Sequence, residues 1–202
     1  MSQLLELVWV KSTAYTANPT EFEAVIKANF AGLEGVVARY KGTNTAVPDE
    51  HVFINIWSTK DHFDAAFAKM KAAGPHPLKD YFDSQPKITS VSLNGADYTQ
   101  VLSSPVVSFS YATPKEGVTR ETIAPIIEKI IAYQDSAKAS TGFLRGQVHE
   151  QPGTFLSVSG WESVEAHHAA VKAEGIAPIL AQFRENLSEH EVKDVKLTSF
   201  NY

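Results

Sequence analysis

Arg145, Gln147 and His149 recur at every second position, so in an extended segment they share one side. An imidazole that is neutral near pH 7 can take a proton from a phenol or an acidic carbon. A guanidinium on the same side can hold the resulting enolate or phenolate, or a carboxylate. His149 is therefore the candidate base and Arg145 the candidate anion holder. Asn55 offers amide hydrogen bonds to a carbonyl or a peroxide-like oxygen, and Ser159 offers a hydroxyl at the equivalent place. His167 is a further catalytic candidate, carried on a stripe with Val164 and Val171 at helical spacing. His168 and His62 fall on polar sides of their helices and read as solvated.

Other chemistries find no residues. Cysteine is absent, which removes disulfides, thiolate metal sites and cysteine nucleophiles. His167 and His168 are adjacent, so their side chains leave a helix ~100° apart and are not expected to chelate together. No His-x-x-x-His or His-Glu-x-x-His pair occurs, and the expectation is no metal. Both phosphate-binding glycine fingerprints are missing, as is the Gly-x-Ser-x-Gly elbow of esterases. The 202 residues are 44% hydrophobic and 20% charged, which excludes a disordered chain. Residues 1–101 carry 9 basic and 11 acidic side chains, and residues 102–202 carry 9 and 12. Neither half has the basic excess of a nucleic-acid binder. No window has ~18 uncharged apolar residues, and the start lacks a basic, apolar leader, so no membrane partner and a cytoplasmic location are expected.

The matching charge balance points to duplication. With Trp57 set on Trp161, His51-Val-Phe-Ile-Asn-Ile-Trp57 matches Phe155-Leu-Ser-Val-Ser-Gly-Trp161, each a strand followed by a polar turn and a helix. The helices continue over Asp64–Ala73 and His168–Glu174 and stop at Gly74 and Gly175. The remaining elements follow in the same order. Strands at Leu4–Lys11 and Val106–Ala112 precede helices at Glu21–Leu33 and Arg120–Tyr133, with Asn18-Pro19-Thr20 and Thr119 as caps. Second strands at Val36–Lys41 and Phe143–His149 follow. Pro77–Ser84 and Pro178–Ser188 extend or follow the second helices, and last strands fall at Lys87–Leu93 and Val192–Ser199. Pro75-His76-Pro77 reads as a rigid turn. Each half is thus strand–helix–strand–strand–helix–strand, the ferredoxin-like βαββαβ unit. The expected division is 1–94, a linker at 95–104, and 105–202.

Such a sheet has helices on one face and leaves the other bare. Duplication supplies a cover: two sheets face to face around a shared interior. Alternation then predicts that Val52, Ile54 and Ile56 face the helices, while Phe53, Asn55 and Trp57 face the interior. The same reasoning sends Trp9 and Tyr40 inward from the first half, with Ser108, Phe143, Arg145, Gln147, His149, Phe155, Ser157, Ser159 and Trp161 from the second. An aromatic wall facing a polar one is the composition of a ligand pocket.

The strand–Trp–turn–helix pattern resembles the dimeric α+β barrel superfamily, and within it the antibiotic-biosynthesis-monooxygenase-like (ABM) domain. Trp161-Glu-Ser-Val-Glu-Ala166 matches that pattern better than Trp57-Ser-Thr-Lys-Asp-His62. The resemblance implies an α+β fold in which two ferredoxin-like repeats form an intramolecular barrel, as a monomeric pseudo-dimer or a further homodimer. It implies a small-molecule enzyme with no cofactor: a monooxygenase, cyclase or isomerase acting on an aromatic or polyketide-like ligand. Trp9, Tyr40, Phe53, Trp57, Gln147, Ser157, Ser159 and Trp161 would bind that ligand, the two motif indoles by stacking. The alternatives are a non-catalytic ligand-binding or stress-associated barrel and a haem-binding protein. Haem-degrading relatives place a ligating His about ten residues after the Trp, where this chain has Phe67 and Val171.

Overall fold

The computed structural model describes residues 2–74, 77–136 and 140–201, so Pro75 and His76 of the expected rigid turn lie outside the described residues. The chain divides into two compact units, Met1–Gly95 with Thr198–Tyr202, and Ala96–Leu197. Among the described residues no helix is long and apolar enough to cross a membrane.

In the first unit β1 (Leu4–Lys11) lies between β3 (Glu50–Trp57) and β4 (Lys87–Ser92), and β2 (Val36–Asn44) pairs with β3. The strand order is β4-β1-β3-β2, antiparallel throughout. Helix α1 (Thr13–Ala17) starts at Ser12, whose hydroxyl accepts from the Tyr15 N–H. Helix α2 (Pro19–Phe30) starts two residues earlier than the sequence pattern indicates. Asn18 caps it by accepting from the Glu21 N–H, which leaves Pro19, with no N–H to satisfy, at the first helical position. Thr59 caps α3 (Lys60–Ala72) in the same way. One turn of 3-10 helix, Lys79–Tyr81, leads back to β4.

The second unit repeats the arrangement with β5 (Val106–Pro114), β6 (Ser140–Gln147), β7 (Phe155–Trp161) and β8 (Leu187–Ser199), in the order β8-β5-β7-β6. Its helices are α5 (Arg120–Ser136), α6 (Val164–Lys172) and α7 (Ala177–Glu185). The stretch expected to be a linker contains a short helix, α4 (Thr99–Leu102), whose Val101 and Leu102 are buried. Strand β8 begins at Leu187, five residues before the pattern indicates. Its first residues, Ser188–Glu191, are polar and exposed on both sides, so they show no alternation to read. Its end returns to the first unit, where the Phe200 N–H donates to the Arg39 carbonyl at 2.9 Å.

The helices cover the opposite face of each sheet from the one expected. Phe53 stacks on Phe22 of α2, with centroids 5.5 Å apart, and Trp57 packs edge-on to Phe63 of α3 at 5.8 Å. Register places Val8, Glu6 and Leu4 opposite Phe53, Asn55 and Trp57, so these six share the helix-covered face. Val52, Ile54 and Ile56 lie on the other face and are equally buried, at 0%, 1% and 0% exposure. Alternation separates the two sets but does not say which one a helix covers. Aromatic side chains on α2 and α3 select aromatic partners, and each such ring, fully buried, contributes about 1.5–3 kcal/mol. Trp9 pairs with Val52, so it stands on the face away from Phe53 and Trp57, and the expected aromatic wall is split between two faces.

In the second unit Gly160 of β7 is required by close approach. A methyl group there would sit 2.1 Å from the hydroxyl oxygens of Ser104 and Thr141. Those hydroxyls hydrogen-bond to each other, and Ser104 also donates to the Gln100 carbonyl of α4. Replacing Gly160 with Ala overpacks this contact at a cost of about 1–3 kcal/mol. Thermal denaturation should show Tm falling by roughly 3–10 °C; an unchanged Tm would mean that the hydroxyl pair yields freely.

Candidate active site

A cleft of about 720 Å³ opens in the first unit between the sheet and its helices. Its apolar lining comes from Val8, Phe53 and Ile88 of the strands, Phe22, Ile26 and Phe30 of α2, and Phe67 and Met70 of α3. Phe67 is 42% exposed at the mouth of this lining. Lys71, Lys79 and Gln85 are exposed members of the same lining.

At the strand side of the cleft three polar side chains converge. The Glu6 carboxylate is 4% exposed, and its Oε2 accepts from Asn55 Nδ2 at 2.8 Å and from Trp57 Nε1 at 2.8 Å. Antiparallel pairing puts Glu6 directly opposite Asn55, and alternation puts Trp57 one step further on the same face. The Asn55 carbonyl oxygen makes no hydrogen bond among the described residues. A carboxylate that accepts two N–H donors inside an apolar cleft is held in one orientation and can take a proton from a group placed against it.

Of the residues expected from sequence, Asn55, Phe53 and Trp57 line this cleft from the helix-covered face; Tyr40 borders it, but it pairs with Ile54 and so, like Trp9, stands on the other face of the sheet. Trp57 lines the cleft as a buried, committed side chain: it is 1% exposed, with its N–H on Glu6. It positions the carboxylate, and the rings open to a ligand are those of Phe53, Phe30 and Phe67. Glu6 was missed, although a signal existed: Leu4-Leu5-Glu6-Leu7-Val8-Trp9-Val10 places one carboxylate inside an otherwise apolar strand. Burying it demands partners.

His149, Arg145 and Gln147 do not line the cleft. They belong to the second unit and are all exposed. Strand β6 ends at Gln147, which pairs with Phe155, so His149 sits in the following turn and not opposite Phe155. Arg145 pairs with Ser157 and Phe143 with Ser159.

In the second unit Trp161 occupies the place of Trp57, but its neighbours differ. Its Nε1–H donates to the Ser159 hydroxyl at 2.9 Å, and its ring stacks on His167 with centroids 4.7 Å apart. Trp161 is 2% exposed and Ser159 is 7%, so this indole also has no face free for stacking. Nδ1 of His167 lies 2.9 Å from Asp194 Oδ1, and Nε2 of His168 lies 3.2 Å from Asp194 Oδ2. The two imidazoles therefore converge, against the expectation from their adjacency. The helix sends them out ~100° apart, but a carboxylate on β8 stands between those directions and each ring rotates onto one of its oxygens.

The register shows how the two units diverged. Glu6 faces Asn55 on one side and Ser90 on the other; Ser108 faces Ser159 and Asp194 at the corresponding places. Carboxylate and serine have exchanged strands. Burial pushes the Asp194 carboxyl up, but the hydrogen bond and charge of His167, the Ser108 hydroxyl and His168 outweigh it and hold the group below its ordinary value.

No protein-family model and no curated protein matches the chain. Solved structures do match it end to end. An anthrone oxidase-like protein is 12% identical with a TM-score of 0.69, covering 98% of this chain and 94% of its own. A proposed monooxygenase from Fusobacterium nucleatum is 8% identical with a TM-score of 0.69, covering 99% and 94%. A chlorite dismutase variant from Candidatus Nitrospira defluvii is 12% identical with a TM-score of 0.60, covering 96% and 90%. At such identities the likeness is one of fold: two ferredoxin-like repeats with the α+β architecture of the dimeric α+β barrel proteins.

Trp57→Phe removes a donor to Glu6 together with part of a fully buried indole, so the lost hydrogen bond and the cavity should together cost about 2–5 kcal/mol in urea unfolding. A loss below a few tenths would show that neither the indole N–H nor its packing supports the native state. Asp194, whose pKa is lowered by folding, stabilises the native state above the ordinary carboxylate range and loses that contribution as pH falls through the lowered value. The stability of wild type relative to Asp194→Asn should therefore narrow as pH drops below about 4. A difference constant from neutral to acid pH would contradict the hydrogen-bonded carboxylate.

Proposed function

We propose that the first unit is an oxygenase for a flat, largely apolar ring system with an acidic methylene or phenol, with Glu6 as the proton acceptor in place of His149. The observation that carries this reading is the Glu6 carboxylate, buried at the side of an aromatic cleft and oriented by Asn55 and Trp57. Phe53, Phe30 and Phe67 would take the faces of the rings, and the unused Asn55 oxygen would accept from a substrate hydroxyl. A bound ring system expels water, and in that drier cleft the carboxylate draws more strongly on a proton.

The chemistry requires no metal or organic cofactor. Glu6 takes a proton from a ring-flanked methylene, and the carbanion passes its electrons to dioxygen. A carbon–oxygen bond forms, giving a hydroperoxide once a proton is returned. Its O–O bond then breaks with loss of water, leaving a carbonyl where the methylene was. The fold neighbour described as anthrone oxidase-like supports choosing a tricyclic substrate of this kind first.

Glu6→Gln keeps the shape and an accepting oxygen for Asn55 and Trp57 while removing the base. With anthrone-type tricycles, oxygen uptake should fall by about 10²–10⁴-fold, with ligand affinity changed little. Tight binding by the wild type with neither oxygen uptake nor exchange of the methylene protons would mean that the cleft is a carrier site. Equal turnover by Glu6→Gln would remove Glu6 from the reaction.

A further inference from the structure

The second unit holds a cluster that the proposed oxygenation does not use. One ring nitrogen each of His167 and His168 and a carboxylate oxygen of Asp194 lie within 4.8 Å of one another. We infer that His167, His168 and Asp194 form a binding site for a divalent transition-metal ion.

The donor set decides the class of ion. Two imidazoles and one carboxylate suit zinc, cobalt, nickel, copper or ferrous iron, whereas magnesium and calcium prefer sets made of oxygen. Bonds of about 2.0–2.2 Å to such an ion place neighbouring ligand atoms roughly 3–4 Å apart. The nitrogen–oxygen separations seen here, 2.9 Å to one Asp194 oxygen and 3.2 Å to the other, are near that spacing, while the set as a whole extends to 4.8 Å, so an ion would draw the two rings toward each other by rotation.

The surroundings are those of a built site. The side chains of Asp194 and His167 are each 9% exposed, which fixes two donors inside the fold. Trp161 clamps the His167 ring by stacking, and the Ser108 hydroxyl hydrogen-bonds Asp194 from the neighbouring strand. Such supporting contacts orient metal ligands and are worth about 10–100-fold in affinity. The side chain of His168 is 55% exposed and provides the open side through which an ion enters and keeps water ligands. One carboxylate set between two neutral imidazoles balances half of a dication's charge, and the ion would displace the protons that now bridge those atoms.

The test is titration of the full chain with zinc by calorimetry, and with cobalt by visible absorption, in a buffer that does not chelate. The expected result is one ion per chain, a cobalt spectrum with the intense bands of four- or five-coordination, and a Tm that rises with zinc. His168→Ala changes an exposed side chain and should fold normally while weakening binding at least 10-fold. Asp194→Asn, though less stable, should weaken binding by at least as much, and His149→Ala should leave binding unchanged. Absence of binding at millimolar zinc would overturn the inference. So would affinity unchanged from wild type in both His168→Ala and Asp194→Asn, which would mark the ion as adventitious. Neither readout depends on turnover, so the outcome is independent of the Glu6 reaction.

Discussion

A carboxylate inside an apolar sheet is the constraint around which the first unit is arranged. Leaving Glu6 unpaired in that position would cost several kcal/mol, so the strand that carries it must deliver donors to it. Antiparallel pairing of β1 with β3 does so: Asn55 arrives directly opposite and Trp57 one step along. A slip of one residue in that pairing would turn both donors to the other face and leave the charge alone. The need for Glu6 to be satisfied and the need for Leu5 and Leu7 to meet Ile56 and Ile54 therefore point to a single register.

The same constraint makes the cleft useful. The indole that would have been a stacking plate is spent holding Glu6, and the ring surface is supplied from Phe53 and the helices. Rigid strands carry the polar groups, and α2 and α3 share the apolar wall with them. A carboxylate whose orientation is set before any ligand arrives has less reorganisation to undergo when a proton moves.

Duplication then allowed the second unit to use the same positions for other ends. The acid stands on the last strand where the first unit has it on the first, serine holds the place opposite, and His167 stands where the first unit has Phe63. The indole remained buried in both units but changed partner, from a carboxylate to a hydroxyl. One acid exchanged between strands converts a carboxylate beside a cleft into a carboxylate shared by two imidazoles.

Much of this was legible in the amino-acid order. The repeat, the strand–helix sequence of each half and the membership of Phe53, Asn55 and Trp57 in one alternating set follow from local periodicity, because side-chain spacing along a strand or helix is a property of the backbone. Which set the helices cover was not legible, since both faces of the first sheet are buried and composition alone does not separate them. Nor was the meeting of Glu6 with Asn55, forty-nine residues away, or of Asp194 with His167, twenty-seven away. Those contacts are fixed by the pairing of β1 with β3 and by the position of β8 beside α6. Pairing and packing of distant segments are collective outcomes of burial and hydrogen bonding, and no short stretch of chain encodes them.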